Sequence, residues 1–538
     1  MGWFKRNLFP ALVLAVALLA VGALVLEPLL SRRPAADPLA TQPAATRQAI
    51  TGGEFQNGPA DEKEPVEGWP EYETGKRCRY DLTLALDPAG KALSGKMDFT
   101  YVNTETQPMD RLRFLLYPNC FEKEYYGVFE QDDYDDAYPN GFSSGSIDIL
   151  SVTSPDGNVQ HLITGQQNHV LEVLLVRPVK PGETARLTIQ YHVTVPNCLG
   201  RFGYGDNTMS LVNCHPILSV FDSGTWHDYP YYNMGDPFYS ETSDYHATIT
   251  APADWTIAAT GELTMREEGE NDVWTVDAPG RRDFGFVASD QFEVMQQMAG
   301  DVLVRSYYLK QHKGYGRQAL DCAVESIDLY ESTFGEYPYG EFSVVEADFF
   351  IGGMEYPGMV LIDQSLYSFS QSMVLDLVVS HETAHQWWYS TVGNDEVAEP
   401  WLDEGLTEFS TQYFFQKERS SGFNDFYQIQ IDYFADQRAG QQGQYAVTLP
   451  ASSFDDGLTY SSWVYDRAAQ ILSDLRAEVG DEAFFAGLRQ YYEGHRLGVA
   501  TRSDLENALE KATGRELTQW FEQQFSQAGG GDTKETGE

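Results

Sequence analysis

Alternating apolar and polar residues mark the first half of the chain beyond residue 75. In residues 187–195, five apolar positions alternate with four polar ones, and similar alternation occurs in residues 80–86 and 97–101. A period of two predicts strands with one buried face. The segment Pro88-Ala89-Gly90 predicts a turn between the last two strands. Because such segments recur to about residue 296, we expect a large antiparallel sheet domain there.

Beyond residue 300, the apolar spacing becomes that of amphipathic helices. Apolar residues recur on one helical face within residues 320–327, and Gly335 is a typical helix stop. Near the end, Ser503 and Glu506 match the pattern of a capping box, and Gly514 predicts the end of that helix. The second half is therefore expected to become mostly helical toward its C-terminal end.

An uncharged apolar run, Leu8 to Leu26, follows Lys5 and Arg6 near the N-terminus. As a helix, it would span about 28 Å, close to the hydrocarbon thickness of a bilayer. This length favours an uncleaved signal anchor in residues 1–30, with a cleaved signal peptide as the alternative. Arg32 and Arg33 on the far side leave the orientation undecided by charge. We expect the body of the protein to lie outside the cytoplasm.

Residues 31–70 are rich in Ala, Pro, Gly, Thr and Gln without periodicity, which predicts a flexible linker. Residues 529–538 predict a disordered tail. With 538 residues, the chain is too long for one core. Its net charge of −44 argues against a nucleic-acid partner, which would be repelled. Of the five cysteines, Cys198 and Cys214 are close enough in sequence for a disulfide, although the pairing cannot be deduced.

The most specific chemical signal is the run His381-Glu382-Thr383-Ala384-His385. Two imidazoles four residues apart share one face of a helix and can bind one zinc ion, and Glu382 can accept a proton from water acidified by that ion. Eighteen residues separate His385 from Glu404, at the start of a second predicted helix behind Pro400. Two imidazoles and one carboxylate leave an open coordination position, as a hydrolytic zinc site requires.

Two further stretches flank this motif. Gly352-Gly353-Met354-Glu355-Tyr356 precedes it, and Tyr460-Ser461-Ser462-Trp463-Val464-Tyr465-Asp466-Arg467 follows it. Together with Trp401-Leu402-Asp403-Glu404-Gly405, their order and spacing resemble the gluzincin aminopeptidases, the family of aminopeptidase N and the leukotriene epoxide hydrolase. The resemblance is sharp over about residues 340–470 and diffuse over about 75–525.

The resemblance implies roles for these residues. Tyr465 would stabilise the transition-state oxyanion, with Tyr460 as a candidate auxiliary group, and Glu355 would bind the free ammonium of the substrate. Gly352, Gly353 and Met354 would line the substrate backbone. Tyr356 stands where the family usually has Asn, so the role of that Asn has no counterpart here. Glu408, one turn after Glu404, is either a partner of a zinc ligand or an ordinary surface carboxylate.

The family fold that this resemblance implies is a saddle-like β domain over residues 71–296, followed by a thermolysin-like α/β catalytic domain over residues 297–528. The chain stops about where the family's catalytic domain ends, which predicts a more open substrate cavity than in longer members.

The function expected from the sequence is that of a membrane-tethered aminopeptidase with one zinc ion, acting on peptides with a free N-terminus. An endopeptidase or an epoxide hydrolase on the same zinc is the first alternative. A catalytically silent peptide-binding surface protein is the second. Such a silent protein would be expected to lack a zinc ligand, Glu382 or Tyr465, and all of them are present.

Overall fold

The computed structural model describes residues 77–157, 159–439 and 445–525. The predicted signal anchor and its apolar run 8–26, the predicted linker 31–70 and the predicted tail 529–538 lie outside these ranges. None of the helices within them combines the length and the apolar composition that a membrane crossing needs.

The N-terminal domain is built from sheets, as predicted. A seven-stranded sheet has the order β15-β16-β13-β1-β2-β7-β4, and two four-stranded sheets have the orders β10-β3-β6-β5 and β14-β17-β9-β8. The strands are β1 (Arg79–Asp87), β2 (Ala92–Val102), β3 (Met109–Leu115), β4 (Ser146–Thr153), β5 (Gln160–Thr164), β6 (Val170–Val179), β7 (Thr184–Thr194), β8 (Phe202–Tyr204), β9 (Met209–Val212), β10 (Ile217–Leu218), β11 (Phe221–Asp222), β12 (Thr225–Trp226), β13 (Ser243–Pro252), β14 (Thr256–Ala259), β15 (Glu262–Glu268), β16 (Asn271–Arg281) and β17 (Gly285–Ser289).

The period-two segments form neighbouring strands of the large sheet. β1 and β2 form the predicted antiparallel hairpin, and β7 pairs with β2 and buries its apolar positions. One pair departs from the antiparallel arrangement, because β13 runs parallel to β1. Parallel neighbours require a long crossover connection, and the strands between β2 and β13 provide it.

The catalytic domain combines a five-stranded sheet of order β18-β19-β20-β22-β21 with packed helices. Its strands are β18 (Phe292–Ala299), β19 (Val302–Leu309), β20 (Glu341–Ala347), β21 (Gly353–Met354), β22 (Met359–Asp363), β23 (Val392–Gly393) and β24 (Gly498–Val499). The helices, of which α1 lies in the N-terminal domain, are α1 (Tyr134–Ala137), α2 (Lys313–Phe334), α3 (Ser372–Ala384), α4 (Trp401–Glu418), α5 (Ser421–Ala439), α6 (Gly457–Ser461), α7 (Ala468–Val479), α8 (Asp481–His495), α9 (Arg502–Thr513) and α10 (Thr518–Phe525). A π-helical turn, Ser462–Arg467, joins α6 to α7.

Helix ends agree only in part with the sequence signals. Gly335 ends α2, and Gly514 ends α9 in a left-handed conformation, as predicted. The capping box assigned to Ser503 and Glu506 was wrong, because Thr501 and Asp504 form it and α9 begins earlier. The predicted division between residues 296 and 297 falls inside β18, and the domain boundaries stay a prediction.

Two features of the core position the site. Met354 and Tyr356 pack into the hydrophobic core of the N-terminal domain, so Glu355, which follows β21, lies between the two domains. All five cysteines are free thiols, so Cys198 and Cys214 do not form the disulfide that their spacing allowed.

Candidate active site

The two histidines lie at the C-terminal end of α3. His381 and Glu382 belong to its last turn, and His385 caps the helix. All three side chains are buried. The second helix, α4, begins immediately after Pro400 and is buried from Trp401 to Phe415, so it crosses the middle of the domain and delivers Glu404 to the same place.

Three ligand-type atoms converge in this space. The Nε2 atoms of His381 and His385 lie 3.4 and 3.2 Å from Oε2 of Glu404. That oxygen is buried and has no hydrogen-bond partner among the described residues. A buried polar atom without a partner is costly unless a ligand satisfies it. The arrangement therefore fits a metal ion held by two nitrogens and one oxygen.

The other ring nitrogen of each histidine, Nδ1, faces a hydrogen-bond acceptor. Nδ1 of His381 lies 3.1 Å from Oε2 of Glu408, and Nδ1 of His385 lies 3.1 Å from the backbone oxygen of Trp388. Because carboxylates and carbonyls only accept, both protons belong on Nδ1, and the Nε2 lone pairs face Glu404. This tautomer is the one that a metal-binding imidazole needs. Glu408 is thus a partner of His381 and not a surface carboxylate.

The ionised state of Glu404 also suits a metal ligand. Burial alone would raise the pKa of Glu404, but the two neighbouring imidazoles outweigh burial and hold that pKa well below its usual range. An ionised carboxylate with two imidazoles is a typical ligand set of catalytic zinc. Held by these three residues, a zinc ion would keep one position open for water.

Glu382 lies between this ligand set and the strand β21. A methyl group on Gly353 would come within 2.2 Å of Oε1 of Glu382, so only glycine leaves room for the carboxylate. Burial raises the pKa of Glu382 to about 7. A carboxyl group with such a pKa can accept and release a proton near neutral pH.

The strand β21 lies at the edge of the catalytic sheet, so one side of Gly353 and Met354 has no strand partner within the described ranges. Gln386, which follows α3, holds this segment in place, since its side-chain amide donates to the backbone oxygens of Glu355 and Tyr356, each at 3.3 Å. Glu355 is buried, and its Oε1 has no partner among the described residues. Gly352 precedes the strand with a φ of 95°, which favours glycine.

Sequence reasoning missed two residues of the N-terminal domain. Asp236 is buried beside Glu404 and Glu355, and it forms an ion pair with Arg201. Nε of Arg201 also donates to Sδ of Met354 at 2.9 Å. Burial raises the pKa of Glu355 well above its usual range, and the negative charge of Asp236 adds to that effect. No local motif marks Asp236 among the 80 acidic residues of the chain.

The two candidate tyrosines lie on the other side of the ligand set. The hydroxyl of Tyr465, in the π-helical turn, donates to Oε1 of Glu404, and its ring stacks on His381 with centroids 5.9 Å apart. Tyr460 is buried with its ring 6.0 Å from that of Tyr465. Its hydroxyl has no partner among the described residues, and Gly235 packs against it.

Comparisons with known proteins cover both domains. Residues 318–524 match the peptidase family M1 domain. Aminopeptidase N of Lactococcus lactis subsp. lactis is 29% identical over 287 residues, which are 50% of this chain and 34% of that protein. The alanine/arginine aminopeptidase of Saccharomyces cerevisiae is 26% identical over 251 residues, 44% of this chain and 28% of that protein. The chain thus spans about a third or less of the length of these curated relatives.

A solved structure covers more of the chain. The M1 zinc metallopeptidase of Deinococcus radiodurans, in a mutant form bound to a Tyr-Ser-Ala substrate, superposes with a TM-score of 0.57 at 19% identity. The match covers 83% of this chain and 94% of that chain, so the two share one fold with both domains in the same order.

Proposed function

We propose that the protein is a zinc-dependent aminopeptidase, because residues 318–524 match the peptidase family M1 domain and so confirm the resemblance to the gluzincin aminopeptidases. It removes the first residue from peptides with a free N-terminus. The observation that carries this proposal is the position of two further buried carboxylates, Glu355 and Asp236, next to a zinc-type ligand set.

We assign zinc binding to His381, His385 and Glu404. A zinc ion held by these three residues would acidify a water molecule and polarise the scissile carbonyl group. Glu382 takes the proton from the attacking water and passes it to the leaving amine, since its pKa of about 7 suits both steps. Gly353 supports this role because a residue with a side chain at that position would collide with the Glu382 carboxylate.

The charges of the site favour a substrate with an ammonium group. Among the described residues, four of the buried carboxylates at the site, Glu355, Glu382, Glu404 and Asp236, lie near one arginine, Arg201. A divalent ion leaves this set one positive charge short of neutrality when all four are ionised. The substrate ammonium between Glu355 and Asp236 supplies that charge, and it sets the first peptide bond over the metal.

In this proposal, the hydroxyl of Tyr465 donates a hydrogen bond to the transition-state oxyanion. Tyr465→Phe is therefore expected to lower kcat by about 100-fold, because one preorganised donor is lost with almost no change in side-chain volume. Tyr460→Phe is the matched control, because its hydroxyl has no hydrogen-bond partner to lose among the described residues. It is expected to do much less. Steady-state kinetics on a fluorogenic aminoacyl amide measures both, and equal mild effects would mean that Tyr465 is not the oxyanion donor.

The proposed function is tested with purified protein that lacks residues 1–70 and a panel of aminoacyl fluorogenic amides. We expect hydrolysis that a chelator abolishes and that added zinc restores. A panel without any hydrolysed member would leave only a peptide-binding role for the site and would overturn the proposal.

We further propose that the apolar run 8–26 tethers the enzyme to a membrane, with the catalytic body outside the cytoplasm. Full-length protein is then expected in the membrane fraction and resistant to high-salt extraction, because burial of apolar surface and not charge holds it there. Deletion of residues 1–70 is expected to release an active soluble body. Full-length expression that yields soluble exported protein, with a new N-terminus after residue 26, would instead show a cleaved signal peptide.

A further inference from the structure

The two carboxylates assigned to the substrate's ammonium group come from different domains. Asp236 belongs to the N-terminal domain, whereas Glu355 follows β21 of the catalytic domain. Residues 348–354 lead from the end of β20 to Glu355, and β21 pairs with β22 through Gly353 and Met354. Because this ladder is so short, contacts made by the rest of the segment 348–354 must help to decide where Glu355 lies.

The β8–β9 hairpin of the N-terminal domain holds the start of this segment through Asp348. The hairpin turns at residues 205–208. The backbone N–H groups of Asn207 and Thr208 donate to Oδ2 of Asp348 at 2.5 and 2.9 Å, and Nδ2 of Asn207 donates to Oδ1 at 2.8 Å. The backbone N–H of Asp348 donates in return to the hydroxyl of Thr208 at 2.8 Å. Both carboxylate oxygens of Asp348 are thus bound to the N-terminal domain.

The hairpin turn fits closely against this carboxylate and is itself held in place. A methyl group on Gly205 would come within 2.4 Å of Oδ2 of Asp348, so a larger residue would push the two apart. The hydroxyl of Ser289 donates to the backbone oxygen of Asn207 at 2.6 Å, and the side-chain amide of Asn207 also donates to Oε1 of Gln364 at 2.8 Å. Both domains therefore fix the turn to which Asp348 is bound.

The same hairpin contacts the other end of the segment. Arg201, directly before β8, donates from Nε to Sδ of Met354 and forms the ion pair with Asp236. The glycines 352–353 lie between the contacts at Asp348 and Met354, and glycine has the largest backbone freedom of any residue. Loss of the contact at Asp348 would therefore leave this stretch free to shift relative to Asp236.

We propose that Asp348 is a positioning residue for recognition of the substrate's ammonium group. It ties the segment 348–354 to the hairpin that also holds Asp236 through Arg201, and it thereby sets Glu355 at the correct distance from Asp236. This inference rests on the proposed aminopeptidase function and extends it to a residue that acts through Glu355. A displacement of about 1 Å at a binding group can lower the rate by about 100-fold.

The experiment compares kcat/KM for a peptide with a free N-terminus and for its acetylated counterpart, and the ratio of the two values is the free-amine preference. Asp348→Ala is expected to shrink this preference about tenfold, mainly through a higher KM for the free peptide. Asp348→Asn keeps one acceptor oxygen for the two backbone donors and is expected to restore much of the preference. Zinc content, measured by plasma mass spectrometry, should stay at the wild-type level in both variants.

Glu510→Ala is the matched control for a general loss of stability. Oε1 of Glu510 also accepts from two backbone N–H groups, those of Leu517 and Thr518 at 2.6 and 3.2 Å, but it joins α9 to α10. This variant is expected to unfold at a lower temperature and to keep the wild-type preference. An equal loss of preference in Glu510→Ala would show that destabilisation is the cause and would overturn the proposal.

Gly205→Ala disturbs the same contact from the hairpin side, and it is expected to shrink the preference in the same direction as Asp348→Ala. It decides the question if Asp348→Ala does not fold. Folded, zinc-loaded variants at either position that keep the wild-type preference would show that the contact is only structural. A wild-type enzyme without any preference for the free peptide would overturn the aminopeptidase function together with this inference, so the two failures are distinguishable.

Discussion

Replacing Glu382 by glutamine is expected to lower kcat by about 1,000-fold or more while the protein keeps its zinc. Glutamine has nearly the same shape, and the tight packing of Gly353 on this side chain confines it to the same place. The amide cannot accept the proton of the attacking water. Turnover on an aminoacyl amide and metal content by plasma mass spectrometry are measured on the same preparation.

His385→Ala is the control that separates proton transfer from metal binding. It removes one of three ligands, so we expect loss of both zinc and activity, whereas the glutamine variant loses activity alone. If Glu382→Gln turns over at nearly the wild-type rate, another group accepts the proton and the role given to Glu382 is wrong.

The grouping of His381, His385 and Glu404 could be predicted because each part is local. Two histidines four apart on a helix must share a face, and the next helix along the chain can return to that face. The same local logic predicted the hairpin of β1 and β2 and the ends of α2 and α9 at glycine.

Asp236 and Arg201 could not be predicted in this way. They belong to the N-terminal domain and reach the site only because β21 packs into that domain's core. Such contacts depend on how two domains dock, which no periodicity or short motif reports. The parallel pairing of β1 with β13 was missed for the same reason, since the distance along the chain hides which strands become neighbours.

Glu408 shows an intermediate case. Its spacing of one turn from Glu404 made contact with a ligand and exposure to solvent equally reasonable from sequence. The burial of α4 decides between them, because a helix buried on all sides over Trp401 to Phe415 leaves no solvent face for Glu408. The prediction of the capping box of α9 missed its position by two residues, because two overlapping pairs of suitable residues lie two positions apart.

Acetylation of the substrate's N-terminus is expected to lower kcat/KM by about 1,000-fold or more, because a site built around a charged partner rejects an analogue that lacks it. The acetylated peptide has no positive charge to place between Glu355 and Asp236. Its acetyl group would also occupy the space of the ammonium group. A matched pair of peptides, free and acetylated, followed by mass spectrometry of the products, measures the ratio.

Glu355→Ala should reduce cleavage of the free peptide by about 30-fold, as expected for the loss of one ammonium–carboxylate contact in a partly desolvated pocket. Glu355→Gln keeps the volume and should behave similarly if charge is the cause, and the ratio between free and acetylated peptides should shrink in both variants. The peptide bond that is cut decides between the two peptidase classes. An enzyme that positions its substrate by the ammonium group has no means of placing an internal bond over the metal. Internal cleavage of acetylated peptides at a rate comparable to that of free peptides would therefore mean that Glu355 only forms part of the pocket wall.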